Sequence, residues 1–515
     1  MKKTLFIILA CFTIAQAQNV TITPGGITPG LTGTYPRISY DEILALPSPT
    51  LGDQAYDNTF LCMRVYNGSR WVCTYQLPKQ PVNDAAFIAT AGGTSLDYPD
   101  VGESVAVDGS GNVYVTGSFG GTANFGAISK TSGGESDIFI AKYNARGTVL
   151  WVQTAGGSLR AYGKSISLDA AGNVYVVGEY KGTATFNGIS KTSEGENDLF
   201  IAKYNSSGVV QWVQSAGGPS FDSARSVAVD ASGNVYIVGQ YFGTTTFEGT
   251  SKTSAGSDDI FIAKYNASGA FQWIQSAGGS LRDIGRGVAV DSNGNVFITG
   301  TFEDTANFGG GGGINPLSYG GIDIFVAKYN SSGVVQWVQS AGGSLFDSGN
   351  SIAVDTSGNV YVTGNYYGPA NFDGTNSVSG AGDRDIFLTK YNSGGTLQWV
   401  QTAGGLLSDR GSSVAVDLMG NAYVIGFYSD VATFGTKSVT SAGNLDIFVA
   451  KYNSSGNLSW LQCGGGTSFD SGSSVAVDAS GNAYVTGTYR DAATFGTASN
   501  TSTGSDDIFL GRISQ

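Results

Sequence analysis

Ala86-Phe87-Ile88-Ala89-Thr90-Ala91-Gly92-Gly93 stands ahead of a series of repeats, and no such repeat precedes it. It aligns with Trp212-Val-Gln-Ser215 followed by Ala216-Gly217-Gly218, inside a repeat. Ala-Gly-Gly begins again at Ala155, Ala216, Ala277, Ala341 and Ala403 and returns as Gly464-Gly465-Gly466, at intervals of 64, 61, 61, 64, 62 and 61 residues. After each comes a run like Ser104-Val-Ala-Val-Asp108, then Gly111-Asn112-Val-Tyr-Val-Thr-Gly117. Asp137-Ile-Phe-Ile-Ala-Lys-Tyr143 and Val149-Leu-Trp-Val-Gln153 complete the unit. Self-similarity at such a period is the mark of a repeat architecture. The four runs are short, rich in Val, Ile, Phe and Tyr, and punctuated by Gly, Ser and Asn, so they read as strands a, b, c and d.

Repeat seven ends with strand c, Asp507–Arg512, and no strand d follows it. The stretch at Ala86–Thr90 supplies the missing strand from the other end of the chain. Six tryptophans mark strand d, at Trp151, Trp212, Trp273, Trp337, Trp399 and Trp460, and Phe87 takes the seventh place. The strands alternate little between apolar and polar, so both sheet faces need cover. Like sheets stacked in a circle provide it. No repeat has a sustained 3.6-residue period, and helices should be almost absent. Residues 84–515 therefore read as an all-β, seven-bladed β-propeller closed by an N-terminal strand.

Ser-Val-Ala-Val-Asp-x-x-Gly-Asn-Val-Tyr-Val-Thr-Gly, the Asp-Ile-Phe-x-Ala-Lys strand and the Gly-Gly ending strand d resemble the bacterial β-propeller repeat called SBBP. The resemblance recurs seven times and covers about five-sixths of the chain. It implies a propeller in an extracytoplasmic, often cell-surface, setting. It implies no activity.

Residues 1–17 carry Lys2 and Lys3, an apolar run from Leu5 to Ile14, and Ala15-Gln16-Ala17. This is the pattern of a signal peptide. The run is too short to span a membrane. Bulky Leu9 sets Cys11 apart from a lipoprotein cysteine. Residues 18–37 read as a linker and 38–78 as a small β-hairpin module. Cys62 and Cys73 flank the turn signal Asn67-Gly68 and are expected to form a disulfide, which an exported setting permits. Cys463 falls where other repeats carry Ser or Thr, and reads as a small strand residue.

The 515 residues include no histidine, which removes His-based triads and His metal ligands. The net charge is −13, and −15 once the two lysines of the leader are gone. That argues against nucleic acid as a partner. No later stretch approaches a transmembrane helix.

Asp-x-x-Gly-Asn recurs at Asp108, Asp169, Asp230, Asp291, Asp355, Asp417 and Asp478. A calcium loop would be longer and would close with a bidentate Glu, so a capped hairpin turn is expected and no metal. The lysines at Lys142, Lys203, Lys264, Lys328, Lys390 and Lys451 read as a pairing device. Gly309–Gly313 lacks the Lys-Ser/Thr of a phosphate-binding loop.

The d–a and b–c connections share one face. The first carries Asp100, Asp222, Asp283, Asp347, Asp409 and Asp470, with Ala161 in repeat two. The second carries Phe119, Tyr180, Tyr241, Phe302, Tyr366, Tyr428 and Tyr489. Carboxylates with aromatics can bind sugars or cations, so these aspartates and the five tyrosines form the candidate ligand site. Arg160, Arg225, Arg282, Arg286 and Arg410 stand beside them, a mixture of charge that suits a neutral glycan-like partner. The b–c connections, about 20 residues long, hold the insertions, and variable loops on a rigid scaffold are where binding is built. No acid/base couple stands out, and no catalytic residue or cofactor is assigned. The reading is an exported, monomeric, non-catalytic binding or scaffolding propeller whose partner is a protein or glycan at the cell surface. The alternatives are a propeller hydrolase or lyase acting on polysaccharide, and a structural spacer.

Overall fold

The computed structural model describes residues 85–515, except 94, 96, 310–314, 317, 375, 376, 497 and 515, together with short strands between residues 21 and 76. The chain divides into two units, residues 1–82 and 83–515. In the first, Gln54–Asp57, Cys62–Tyr66 and Trp71–Gln76 pair as an antiparallel meander. The leader, most of the linker and the Cys62 and Cys73 side chains lie outside the described residues.

The second unit is an all-β propeller, with no helix among the described residues. In repeat one, strand a is Val101–Val107, b is Val113–Phe119, c is Asp137–Tyr143 and d is Val149–Gly156, and each pairs antiparallel with the next. The same four-stranded ladder recurs in every repeat. Strands b and c are buried almost throughout because neighbouring ladders cover both faces. Strand b carries a glycine at the point of closest approach: a Cβ on Gly117 would lie 1.8 Å from the Val101 carbonyl oxygen.

The last repeat closes as expected. Ala85–Gly93 pairs with Asp507–Ile513, with Phe509 opposite Thr90 and Arg512 opposite Phe87. Strand a is innermost, and a serine on it reaches the next repeat around the ring. Ser104 Oγ accepts from Ile166 N, Ser165 from Val227 N, Ser226 from Val288 N, Ser351 from Val414 N and Ser413 from Val475 N, all at 3.2–3.3 Å. Ser474 accepts from Val105 N at 3.2 Å, which ties the last repeat to the first. Gly287 leaves one link out.

Two expectations need correction. The hydrogen bonds do not draw seven separate, equal blades. They gather the ladders into six sheets, five of which extend to six or eight strands and one of which has four. The cause lies in the b–c connections, which are not free loops. In repeat one this connection is a hairpin, Thr122–Phe125 with Ile128–Thr131. It pairs with Ala91–Gly93, strand d of the neighbouring ladder, and so covers an edge that would otherwise stand open. In repeat two, strands b and c run unbroken into their hairpin (Val174–Phe186, Ile189–Tyr204), which joins repeats one and two in a single eight-stranded sheet. A phenylalanine from each hairpin packs on the strand-c phenylalanine of its own repeat, as Phe125 on Phe139 and Phe186 on Phe200, both with centroids 4.9 Å apart. Each hairpin thereby fastens two repeats.

No helix among the described residues is long and apolar enough to cross a membrane.

Candidate functional site

The aspartates expected to bind ligand are buried, 0–2% exposed. Asp347 accepts from Gly343 N at 2.6 Å and from Tyr367 N at 2.8 Å, and so clips the end of one strand d to the end of the next strand b. Asp100, Asp283, Asp409 and Asp470 make the same pair of bonds, whereas Asp222 Oδ1 accepts from Thr245 Oγ1 and its Oδ2 is buried without a hydrogen bond. Burial pushes Asp100, Asp222, Asp283 and Asp409 up to about 7, and Asp347 and Asp470 up to about 6, against the pull of those N–H groups. A second carboxylate adds to the shift in each, Asp323 in the case of Asp347. The Gly-Gly turn passes between the two: a Cβ on Gly342 would lie 2.0 Å from Asp323 Oδ1 and 2.9 Å from Asp347 Oδ2.

The tyrosines also turn inward. Tyr180, Tyr241, Tyr366, Tyr428 and Tyr489 are at most 1% exposed. Tyr180 OH bonds Ser215 Oγ and Tyr241 OH bonds Ser276 Oγ, each at 2.6 Å. Tyr428 makes this contact with Cys463, whose thiol burial pushes up to about 11. The place these residues occupy is the frame, where no ring face meets a solute. The Asp-x-x-Gly-Asn turns are capped by their aspartates, as expected. Asp230 Oδ1 accepts from Ser232 N and Asn234 N at 2.9 Å, and Oδ2 accepts from Asn234 Nδ2 at 2.8 Å and from Tyr236 OH at 3.1 Å. Gly233 sits at φ 78°.

What remains open is the central channel. The strand-a residue before the girdle serine lines it in every repeat: Glu103, Lys164, Arg225, Arg286, Asn350, Ser412 and Ser473. This position changes charge, size and polarity around the ring, while the small residue before it and the serine or glycine after it repeat. The channel holds a cavity of about 300 Å³. A second cavity of about 250 Å³ opens between repeats four, five and six, on the d–a and b–c side, and shares Arg286, Asn350 and Arg410 with the first.

Charge is unevenly satisfied here. Glu103 and Lys164 pair at 3.4 Å, Arg282 and Asp258 at 3.0 Å, and Arg225 Nε donates to Gln240 Oε1 at 2.7 Å. Arg384 donates to Tyr367 OH and lies over that ring at 5.3 Å. Arg286 and Arg410 have no such partner, and the Nε of each is buried without a hydrogen bond. Burial, with Arg225, Arg410 and Arg282 close by, presses Arg286 down to about 9, so it stays cationic at neutral pH. Burial and Arg384 lower Arg410. The sequence reading set arginines beside aspartates as mixed charge. With the aspartates withdrawn beneath backbone N–H groups, the remaining surface is cationic. Phe346, on the same rim, is 58% exposed and meets Tyr367 edge-on at 6.5 Å.

The beta-propeller repeat SBBP matches residues 272–301 and 336–367, so the chain carries this repeat. Over 444 residues the chain is 24% identical to an uncharacterized WD repeat-containing protein of Acanthamoeba polyphaga mimivirus, covering 70% of this chain and 32% of the relative. Over 402 residues it is 26% identical to the regulatory protein FlaEY of Caulobacter vibrioides, covering 70% and 41%. The chain thus spans less than half the length of these relatives. Among solved structures, a polysaccharide lyase of family PL25, an ulvan lyase, aligns at TM-score 0.39 and 11% identity over 77% of this chain and 93% of that one. A protein of unknown function from Bacteroides caccae aligns at TM-score 0.32 and 12% identity over 63% and 89%.

Proposed function

We propose that this carrier of SBBP repeats is an exported, non-catalytic binding propeller whose ligand enters the channel mouth on the d–a and b–c face. The observation that carries this reading is the strand-a position that lines the channel. A frame needs the same residue in every repeat, and the capping aspartates and clasping tyrosines obey that need. Glu103, Lys164, Arg225, Arg286, Asn350, Ser412 and Ser473 do not. Variation at the wall of a cavity, on a largely repeated scaffold, suits recognition. Export is supported by Lys2-Lys3, the apolar run to Ile14 and Ala15-Gln16-Ala17.

The test is a glycan and protein binding screen on the mature chain, followed by two paired variants. Phe346→Ser with Tyr367→Ser alters the channel mouth. Asp291→Ala with Lys328→Ala alters the opposite face. Loss of binding only with the first pair supports the reading, and loss only with the second sinks it.

A further inference from the structure

We propose that the cavity between repeats four, five and six is a recognition site for an acidic glycan, which places the oxyanion of a uronate or sulfate group on Arg286 and Arg410. This rests on the binding reading above and gives it a ligand chemistry.

Three observations converge. The first is electrostatic. A chain with an excess of 13 acidic charges gathers Arg282, Arg286, Arg384 and Arg410 around one cavity. Like charges so placed destabilise one another unless an anion joins them. The acids at hand are engaged elsewhere: Asp258 holds Arg282, Glu103 holds Lys164 of the neighbouring repeat, and Asp347 accepts two backbone N–H groups.

The second is hydrogen bonding. Buried donors nearly always have acceptors, and a guanidinium Nε without one is an exception that needs a cause. Arg286 and Arg410 both present such an Nε. They line the same cavity from repeats four and six, with repeat five between them. The planar fork of a guanidinium matches a carboxylate or sulfate, and two forks around one cavity can share it.

The third separates a glycan from other anions. Asn350 and Asn365 line the same cavity as neutral polar groups, and Asn350 Nδ2 already donates to Gly411 O at 2.9 Å. Phe346 and Tyr367 form an aromatic edge at the entrance. Cations for the acid, amides for hydroxyls and a ring for the apolar face of a sugar are the groups an acidic saccharide requires. The cavities of about 250 and 300 Å³ together lie in the range of small-ligand sites, roughly 300–1,000 Å³.

Calorimetry on the mature full chain at low salt decides the matter, with four probes. These are a tetragalacturonate, a neutral galactose tetrasaccharide, a sulfated galactose tetrasaccharide and a tetraglutamate peptide. The expected result is binding of an acidic saccharide at least 20-fold tighter than the neutral one, weakening as salt rises. Comparison of the uronate and sulfated probes identifies which oxyanion the site prefers. Arg286→Gln with Arg410→Gln should cost at least 20-fold in affinity. Arg286→Lys, which keeps the charge and loses the fork, should cost about a quarter of that factor. Arg146→Gln, on an exposed arginine of a c–d turn, should change nothing. The double variant should melt no lower than the parent without ligand, since it relieves repulsion, and should lose the ligand-induced rise in Tm. Unchanged affinity in the double variant overturns the proposal, as does tighter binding of the peptide than of either acidic saccharide. Preference for the neutral saccharide, lost with Phe346→Ser, would sink the anion site and leave the binding face standing. Absence of binding by every probe and in the wider screen would sink both.

Discussion

The junction between repeats two and three and the junction between repeats six and seven carry the same residues and make different bonds. In the first, Lys203 Nζ and Trp212 Nε1 both donate to the Ala267 carbonyl, at 3.1 and 3.3 Å. That carbonyl lies in the c–d turn of the next repeat, and the same two-donor catch joins every successive pair of repeats from one to six, as Lys142 and Trp151 on Ser206 O. At the later junction Lys451 and Trp460 are in place. The Trp460 indole N–H is buried without a partner, and Lys451 lies 3.8 Å from Asp417. Where repeat seven meets repeat one, Arg512 and Phe87 replace the pair, and Arg512 rests over the Tyr484 ring at 5.8 Å. Both flanks of repeat seven are held by the backbone ladder, by packing and by the Ser413 and Ser474 links.

This difference can be broken most severely at the ladder. Deleting residues 84–90 should remove most of the outer strand of repeat seven and expose the edge of Asp507–Ile513. The expected outcome is aggregation, or a melting temperature at least 10 °C lower, read by calorimetry. A deletion variant that melts like the parent would show that the ladder does not hold the ring.

The carboxylate pairs are indifferent to the seam, since Asp100 faces Asp507 there as Asp222 faces Asp198 within the ring. Their folded pKa values lie above the unfolded value of about 3.9. The folded state thus binds more protons over this window, and stability falls as pH rises. The contribution is complete below pH 4 and is lost as pH climbs through about 6 to 7. Melting temperature should decline from pH 5 to pH 8, and Asp409→Asn should flatten the slope. A rise over that interval would contradict the burial of these groups.

Trp212→Phe and Trp460→Phe test the catch itself. The first leaves Lys203 as the remaining donor and should cost about 1–2 kcal/mol. The second removes a buried donor that has no acceptor and should be neutral or stabilising. Equal losses in urea unfolding would dismiss the comparison. Smallest is the effect at the a–b turns, which are alike at every junction. Asp230→Ala should cost about 0.5–1.5 kcal/mol, and calcium should leave the melting temperature of the parent unchanged. A calcium-dependent rise would turn the cap into a cation site.

Repetition made the ladder, the closing strand and the turns legible in the sequence. Cys463 could be placed opposite its neighbours' Ser and Thr for the same reason, and it meets Tyr428 as they meet their tyrosines. The b–c hairpins escaped notice because Thr122-Ala-Asn-Phe125 has few large apolar residues and pairs across a junction, with a strand some 30 residues away in the preceding ladder. The tyrosines after strand b were read as exposed because spacing does not tell which way a residue turns where a strand ends. Arg286 and Arg410 could be named, but not distinguished from Arg160 or Arg225. What sets them apart is the lack of a partner, and that is a property of the assembled ring. A comparison of strand a across repeats could have found Arg286, at the varying position before the girdle residue, and Arg410, at the equally variable position that follows the capping aspartate.

The girdle of serines has a mechanical consequence. Each link runs from one innermost strand to the next, so radial load on the ring passes through all of them in series. Between repeats four and five the link is absent, because Gly287 has no hydroxyl to offer Ile352 N. A hoop with one rivet missing yields first at that rivet. The compliance of this ring is thereby concentrated beside Arg286, at the wall where the channel and the side cavity meet.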